Sequence, residues 1–187
     1  MTARRLIVAM TGSSAPHIGQ AVLEALTHIE GVETHLILST GARKTIEIEL
    51  GMDPGEIESL GDVVYRADNL AASVSSGSFT TIGMVVVPCS MRTLAAIATG
   101  NTTDLVTRAA DVCLKEKRRL VLVPRETPLN LIHIRNMETL ALAGATILPP
   151  VPAFYHRPET IRDLLDHTAG KILDQFGIEH DLYRRWS

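Results

Sequence analysis

The 187-residue chain has little of what builds disulfide-rich, membrane-spanning or nucleic-acid-binding proteins. Its two cysteines, Cys89 and Cys113, lie in separate apolar runs, which predicts no disulfide framework and no metal site, and fits a reducing, cytoplasmic location. No apolar run approaches the ~20 residues of a membrane span. The net charge is only −3 and both signs are mixed along the chain, which argues against nucleic acid as a partner.

What the chain does contain is a regular alternation of apolar runs and helical periodicity. Strands are predicted at 6–10, 34–38, 83–87, 120–123 and 146–148, and helices at 16–27, 41–50, 91–99, 105–115, 128–143 and 160–175. The strands are continuously apolar, which is typical of a sheet covered on both faces. The pattern predicts one α/β domain over 1–187, a Rossmann-like or flavodoxin-like three-layer sandwich with a mostly parallel, doubly wound sheet.

Ligands of such folds bind at the carboxyl ends of the strands, so these loops are the ones to inspect. The first loop, Thr11-Gly12-Ser13-Ser14, offers small residues and hydroxyls just before a helix, an arrangement that suits an anion. It lacks the G-x-G-x-x-G fingerprint of dinucleotide sites. Ser14 and, after the second strand, Ser39 are equally compatible with ordinary helix caps.

The remaining loops carry charged and aromatic residues. Arg125 and Glu126 lie between two prolines, and the proline-rich segment 149–158 presents Tyr155. The polar segment 73–79 is interpreted as a mobile cover. Arg108 and Lys115 lie seven residues apart on one helix face, from which they can meet a phosphate. The residues therefore predict a phosphorylated ligand but not a reaction.

Short motifs in a fixed order extend over nearly the whole chain. They are Ser75-Ser76-Gly77-Ser78-Phe79, Pro88-Cys89-Ser90, Arg108-Ala109-Ala110-Asp111-Val112, Leu114-Lys115-Glu116, PRETPL at 124–129, PPVPAFYH at 149–156, DQFGI at 174–178 and Arg185-Trp186. Together they resemble the flavin prenyltransferase family (UbiX, including the small B subunits of phenolic-acid decarboxylases).

The resemblance implies an activity, a cofactor and partners. Members of the family join the dimethylallyl group of dimethylallyl monophosphate to N5 and C6 of reduced FMN without a metal. The product, prenylated FMN, serves a UbiD-type decarboxylase. The family commonly forms a homododecamer with sites at subunit interfaces. For this chain we therefore expect a single flavoprotein domain whose tail, about 177–187, packs on a neighbouring subunit.

The resemblance also implies roles for individual residues. The cofactor-binding residues would be Gly12, Ser13, Ser14, Ser39, Ser90, Met91, Arg92, Thr93, Arg108 and Arg125. The substrate phosphate would meet Lys115, Arg125, Tyr155 and Lys171. Catalytic roles would fall to Ser14, Glu49, Lys115 and Glu126. Fixed cations and hydroxyls stabilise the charge of a leaving phosphate, and Glu126 suits an acid if burial raises its pKa.

Two positions depart from the family pattern. Ala15-Pro16-His17 replaces a glycine-containing turn, and Lys171 stands where arginine is usual, which keeps the charge but loses the bidentate fork. The altered turn leaves open an FMN-binding accessory subunit without transferase activity. A flavin-dependent cysteine decarboxylase is a weaker alternative, because the segment 90–93 lacks the asparagine of those enzymes.

Overall fold

The computed structural model describes residues 4–186 and contains a six-stranded, all-parallel sheet in the order β3-β2-β1-β4-β5-β6. The strands are β1 (Arg4–Met10), β2 (Val32–Leu38), β3 (Val63–Arg66), β4 (Gly83–Cys89), β5 (Arg119–Pro124) and β6 (Thr146–Ile147). The helices are α1 (Pro16–Thr27), α2 (Thr40–Thr45), α3 (Pro54–Glu58), α4 (Met91–Ala98), α5 (Leu105–Lys115), α6 (Leu131–Leu142) and α7 (Ile161–Gln175). A π-helical turn, Ile46–Leu50, follows α2, and a 3₁₀ turn, Ser73–Ser75, precedes β4.

Helices cover both faces of the sheet, which confirms the predicted three-layer, doubly wound fold. Leu6 and Val8 of β1 pack against α1 and α7, whereas Ile7 and Ala9 point to the face covered by α4, α5 and α6. Alternate side chains of each inner strand are therefore buried in different layers. This explains why the strands are apolar at every position rather than at every second one.

The prediction missed two elements and set one helix boundary too early. β3 is a four-residue edge strand with alternate residues exposed, so it produces no apolar run. α3 has only five residues, too few for a helical period. The predicted helix 128–143 begins only at Leu131, because the Asn130 side chain accepts a hydrogen bond from the His133 amide and caps it.

The order of the strands defines the position of the site. From β1 the chain moves outward to β2 and β3, then returns to place β4 on the other side of β1. The crossovers on the two sides leave a crevice at the carboxyl ends of β1 and β4, where open α/β sheets bind ligands. Within residues 4–186, no helix combines the length and apolar character that crossing a membrane requires.

Candidate active site

The loop after β1 is hydrogen-bonded to the ends of two other strands, β4 and β5. The Thr11 hydroxyl donates to the carbonyl of Pro88 (2.8 Å) and accepts from the amide of Ser90 (2.8 Å). The hydroxyl of Ser13 donates to the carbonyl of Arg125 (2.7 Å). These hydrogen bonds hold the ends of β1, β4 and β5 side by side at one edge of the sheet.

Close backbone contact joins the same loop to the end of β2. A Cβ added to Gly12 would lie 2.8 Å from the Cα of Gly41, and one added to Gly41 would lie 2.9 Å from the Cα of Gly12. Glycine is therefore required at both positions for the two loops to lie side by side. Gly12 and Ser13 thus support the site as well as line it.

Ser14 does not cap α1, contrary to the interpretation that the sequence left open. Ala15 occupies the N-cap position in a left-handed conformation (φ 67°) and provides no side-chain cap. The Glu49 carboxylate accepts from the Ala15 amide (2.8 Å) and from the Ser14 hydroxyl (3.1 Å). Glu49 therefore supplies the negative charge that favours a helix N-terminus, and it fixes Ser14 at the crevice.

The loops after β2 and β4 start helices that are capped by serines. Ser39 accepts from the Ala42 amide and Ser90 from the Thr93 amide, so both hydroxyls serve as caps. The backbone amides of Met91 and Arg92 lie in the first turn of α4, where a helix has no carbonyl of its own to accept from them. Such amides, with nearby hydroxyls, fit the phosphate and carbonyl oxygens of FMN.

Arg125 and Glu126 follow β5 at the same edge of the sheet. The Arg125 backbone is held at both ends, by its amide donating to Cys89 (3.3 Å) and its carbonyl accepting from Ser13. Its side chain is half-buried, which suits a cation that meets a ligand anion. Glu126 is exposed, so the single chain does not provide the burial on which its predicted role as an acid depends.

Tyr155 belongs to an aromatic cluster that lies against α7. Its hydroxyl is 3.0 Å from Nε2 of His167, and His167 stacks on His156 with ring centroids 4.8 Å apart. Burial, reinforced by His156 and Lys171, lowers the pKa of His167 below its ordinary 6.5. The structure therefore places Tyr155 and Lys171, two predicted phosphate ligands, around one uncharged histidine.

Lys115 is not brought together with Arg125, and both Lys115 and Arg108 are paired with acidic residues of α5 or its end. Arg108 pairs with Asp111 and donates to the carbonyl of Ser75, and Lys115 pairs with the adjacent Glu116. Lys115 ends α5 just before β5 begins, whereas Arg125 follows the end of β5, roughly 20 Å further along a strand of this length.

The segment 73–79 is held on α5 and its neighbours, which is at odds with its interpretation as a mobile cover. Arg118 donates to the carbonyls of Gly77 and Phe79, and Tyr65 lies 2.9 Å from the hydroxyl of Ser73. Val74 is fully buried.

The C-terminal tail packs largely on α7 of its own chain. Asp174 is the centre of this contact: it accepts from Tyr183 (2.7 Å) and from Arg185 (2.7 Å), and His180 lies 3.2 Å away. Burial alone would raise the pKa of Asp174, but these donors outweigh it and lower the pKa to about 2. Trp186, 80% exposed, meets the edge of Tyr155. Packing of the tail on a neighbouring subunit stays a prediction.

The sequence predicted Thr11 as part of the loop that suits an anion but not as the link between β1 and β4, and it gave no individual role to His167 or Asp174. The hydroxyl of Thr11 is buried at a strand end. His167 and Asp174 lie on the predicted last helix at spacings of four and three from Lys171, which places them on one face. That spacing is the feature of the sequence from which their proximity to Lys171 could have been predicted.

Comparison with known proteins gives a consistent assignment. A flavoprotein family model matches residues 1–174. The flavin prenyltransferase UbiX of Escherichia coli (strain K12) is 49% identical over 185 residues, which cover 98% of each chain. A crystal structure of AnUbiX in complex with FMN and dimethylallyl pyrophosphate has a TM-score of 0.96 and 51% identity, covering 99% of this chain and 98% of that one.

A dodecameric FMN-dependent UbiX-like decarboxylase from Escherichia coli O157:H7 also has a TM-score of 0.96, with 50% identity over 98% of this chain and 99% of that one. These matches extend over the whole crevice and both of its flanking layers. The chain therefore belongs to the flavoprotein family and, within it, to the UbiX flavin prenyltransferases.

Proposed function

We propose that this protein transfers the dimethylallyl group of dimethylallyl monophosphate to N5 and C6 of FMN, forming prenylated FMN. The observation that carries the proposal is the crevice at β1 and β4, whose loops are tied together by Thr11 and Ser13. Its near-complete structural match to a relative in complex with FMN and dimethylallyl pyrophosphate supports this reading. Reduced FMN would supply the two nucleophilic positions of the reaction.

The residues of the crevice account for the departure of the phosphate. The allylic C–O bond breaks and its electron pair leaves with the phosphate, so negative charge grows on the phosphate oxygens. Arg125, Tyr155 and Lys171 would stabilise that charge. The Arg125 backbone and the Tyr155 hydroxyl are held by hydrogen bonds, whereas Lys171, which pairs with Asp174 at 3.7 Å, would turn from that carboxylate to the phosphate. The carbon freed from the phosphate would bond to N5, which gives up its proton; the remaining double bond would then gain a proton as C6 bonds to it and C6 loses its own. Glu126 or the released phosphate would carry these protons, and the Ser14–Glu49 pair lies beside them at the end of the β1 loop.

We further propose that Lys115 and Arg108 act at the site of a neighbouring copy within a homo-oligomer, as a dodecamer would allow. The separation of Lys115 from Arg125 along β5 supports this division of the site. A face of α6 also exposes large apolar side chains that a second copy would cover, including Leu131, Ile132 and Leu142.

The oligomer proposal has a direct test. A Lys115→Ala chain and an Arg125→Ala chain should each be inactive alone, and mixed oligomers assembled from both should recover part of the activity. Recovery is expected because some sites would then contain the intact Lys115 of one chain and the intact Arg125 of another. Mixed oligomers as inactive as the parents would contradict a shared site.

The proposed product would be used elsewhere in the cell. We propose a UbiD-type decarboxylase as its recipient and the cytoplasm as the compartment. The two cysteines support a reducing compartment, since Cys89 and Cys113 are free and buried, and burial raises the pKa of each thiol to about 12.

The transfer is tested by anaerobic incubation of the protein with reduced FMN and dimethylallyl monophosphate, followed by mass spectrometry of the flavin. We expect a flavin heavier by one five-carbon unit. Dimethylallyl pyrophosphate in a parallel incubation shows which phosphate the site prefers. Tight FMN binding without any heavier flavin from either compound would favour the accessory subunit that the Ala15-Pro16 turn leaves open.

A further inference from the structure

Behind Tyr155 lies a pair of stacked histidines that the proposed reaction does not use. His156 and His167 are nearly parallel (8°), and His167 is 6% exposed. Neither ring nitrogen of His156 has a hydrogen-bond partner within residues 4–186, although both are buried. The only side-chain hydrogen bond that the pair makes in this part of the chain joins His167 Nε2 to the hydroxyl of Tyr155.

We propose that His167 is a positioning residue for the phosphate of the substrate: its Nε2–H donates to the oxygen of Tyr155, which directs the Tyr155 hydroxyl proton at the phosphate. This inference rests on the proposed function, because it takes Tyr155 as a phosphate ligand.

Tyr155 and His167 together have few protons to share between themselves and the phosphate. A phenol has one proton to donate, and a neutral imidazole carries its proton on one of its two nitrogens. If Tyr155 donated to His167, its oxygen would face the phosphate with lone pairs and repel it. If His167 donates instead, the Tyr155 proton is free for the phosphate. An anionic ligand therefore selects the tautomer with the proton on Nε2.

The surroundings of His167 disfavour a positive charge on its ring, so the position of the single ring proton decides whether His167 or Tyr155 donates. The groups that face it are Lys171 and Asp174 on α7, Tyr155 and His156 on the preceding loop, and Tyr183 on the tail. Burial, His156 and Lys171 disfavour a positive charge on His167, and Asp174 opposes them only weakly because Tyr183 and Arg185 already engage it.

The test compares two substitutions at His167 in the FMN-loaded protein. His167→Phe keeps a ring that can stack on His156 but removes the donor, whereas His167→Gln loses the ring but keeps an N–H of similar reach. With oxidised FMN, which avoids turnover, we expect His167→Phe to weaken dimethylallyl monophosphate binding about tenfold and His167→Gln to restore most of that loss. In turnover the effect should appear in KM more than in kcat.

His35→Phe is the matched control, since His35 is also buried with a ring nitrogen 2.9 Å from a tyrosine hydroxyl, that of Tyr65, in the opposite layer. It should leave the affinity for the monophosphate unchanged. In a Tyr155→Phe background, His167→Phe should add no further loss.

The outcomes separate this inference from the proposed function. Unchanged affinity in His167→Phe, or equal losses in the Phe and Gln variants, would overturn the positioning role even if the wild type forms prenylated FMN. Failure of the wild type to form prenylated FMN would overturn the proposed function, whatever the binding data show.

Discussion

At the scale of single residues, the site depends on backbone groups that hydroxyl and carboxylate side chains hold in place. Thr11 and Ser13 use their hydroxyls to bind carbonyls of neighbouring loops. Glu49 binds the amide at the start of α1, a role that spacing along the chain does not reveal because Glu49 lies 34 residues from Ala15. The family resemblance named Glu49, and the structure shows that its carboxylate accepts hydrogen bonds from Ser14 and Ala15.

Replacing Glu49 by glutamine tests whether its charge at the start of α1 matters for the reaction. Glu49→Gln keeps the size of the side chain but removes the charge that meets the Ala15 amide and the Ser14 hydroxyl, so we expect prenyl transfer to slow about a hundredfold while FMN stays bound. Glu47→Gln, an exposed glutamate of the same turn, is the control and should behave as wild type. Single-turnover rates and FMN titration of both variants measure the difference; equal rates would contradict the role.

Glu126 tests the acid–base part of the proposed function. Glu126→Gln cannot exchange a proton, so transfer should slow about a hundredfold or more with FMN affinity unchanged. Glu138→Gln, an exposed carboxylate on α6, serves as the comparison. If FMN binding collapses in Glu126→Gln, the residue has a structural role and the assignment is wrong.

At the scale of elements, the sequence predicted the long and periodic ones well. α1 and α5 have the predicted bounds, because their buried residues repeat at helical spacing over eleven or more residues. β3 was missed because an edge strand with alternate exposed residues has no apolar run. α3 did leave a signal, since Asp53 and Glu56 form a capping box, but its single turn has no apolar stripe.

The sequence predicted the tail as a separate segment, but it did not predict that the tail contacts α7. Gly170 allows that contact: a Cβ there would lie 2.6 Å from the rings of His180 and Tyr183. Such a close approach depends on the fold of both segments, so composition and periodicity do not predict it. The tail thereby places Trp186 against Tyr155 at the edge of the site.

Asp174→Asn is expected to release the tail. The pKa of Asp174 is depressed to about 2, so its contribution to stability, on the order of 2 kcal/mol, is present above pH ~4 and is lost as the pH falls towards 2. The chain has one tryptophan, so the emission of Trp186 reports on the tail directly. Trp186 is already 80% exposed, so its emission wavelength would change little, and we expect instead the anisotropy of that emission to fall in Asp174→Asn at pH 7.

Asp166→Asn is the control for this variant. Asp166 pairs with Arg162 on the same helix and makes no contact with the tail in the described part of the chain. Its substitution should leave the emission anisotropy of Trp186 unchanged. An unchanged anisotropy in Asp174→Asn would show that other contacts hold the tail.

At the scale of the whole molecule, two buried histidines in opposite layers couple stability to pH. Burial lowers the pKa of both His35 and His167 below 6.5. Their rings stay neutral in the native state but protonate in the unfolded state once the pH drops below about 6.5. The free energy of unfolding should therefore be constant above pH ~7 and decrease as the pH falls from 6.5 towards 5.

Urea unfolding at several pH values between 8 and 5 measures this dependence. His35→Phe should flatten the decrease, because one of the two groups that gain a proton on unfolding is then absent. A decrease of the same steepness in wild type and variant would place the dependence on other groups.

The fold class and the edge of the sheet that carries the site were both predictable, since they follow from the apolar pattern and from the rule for parallel sheets. The hydrogen bonds between the loops were not predictable: Thr11 bonds to Pro88 and Ser90, and Ser13 to Arg125, across separations of 77 to 112 residues that only the folded chain brings together.

Transfer of the prenyl group is the central claim, and an isotopic label tests it most directly. The FMN-loaded protein is reduced, incubated anaerobically with deuterated dimethylallyl monophosphate, and the flavin is released and weighed by mass spectrometry. The account predicts a flavin that carries one deuterated five-carbon unit, with an equal amount of free phosphate. Recovery of unlabelled FMN with the monophosphate intact would contradict it.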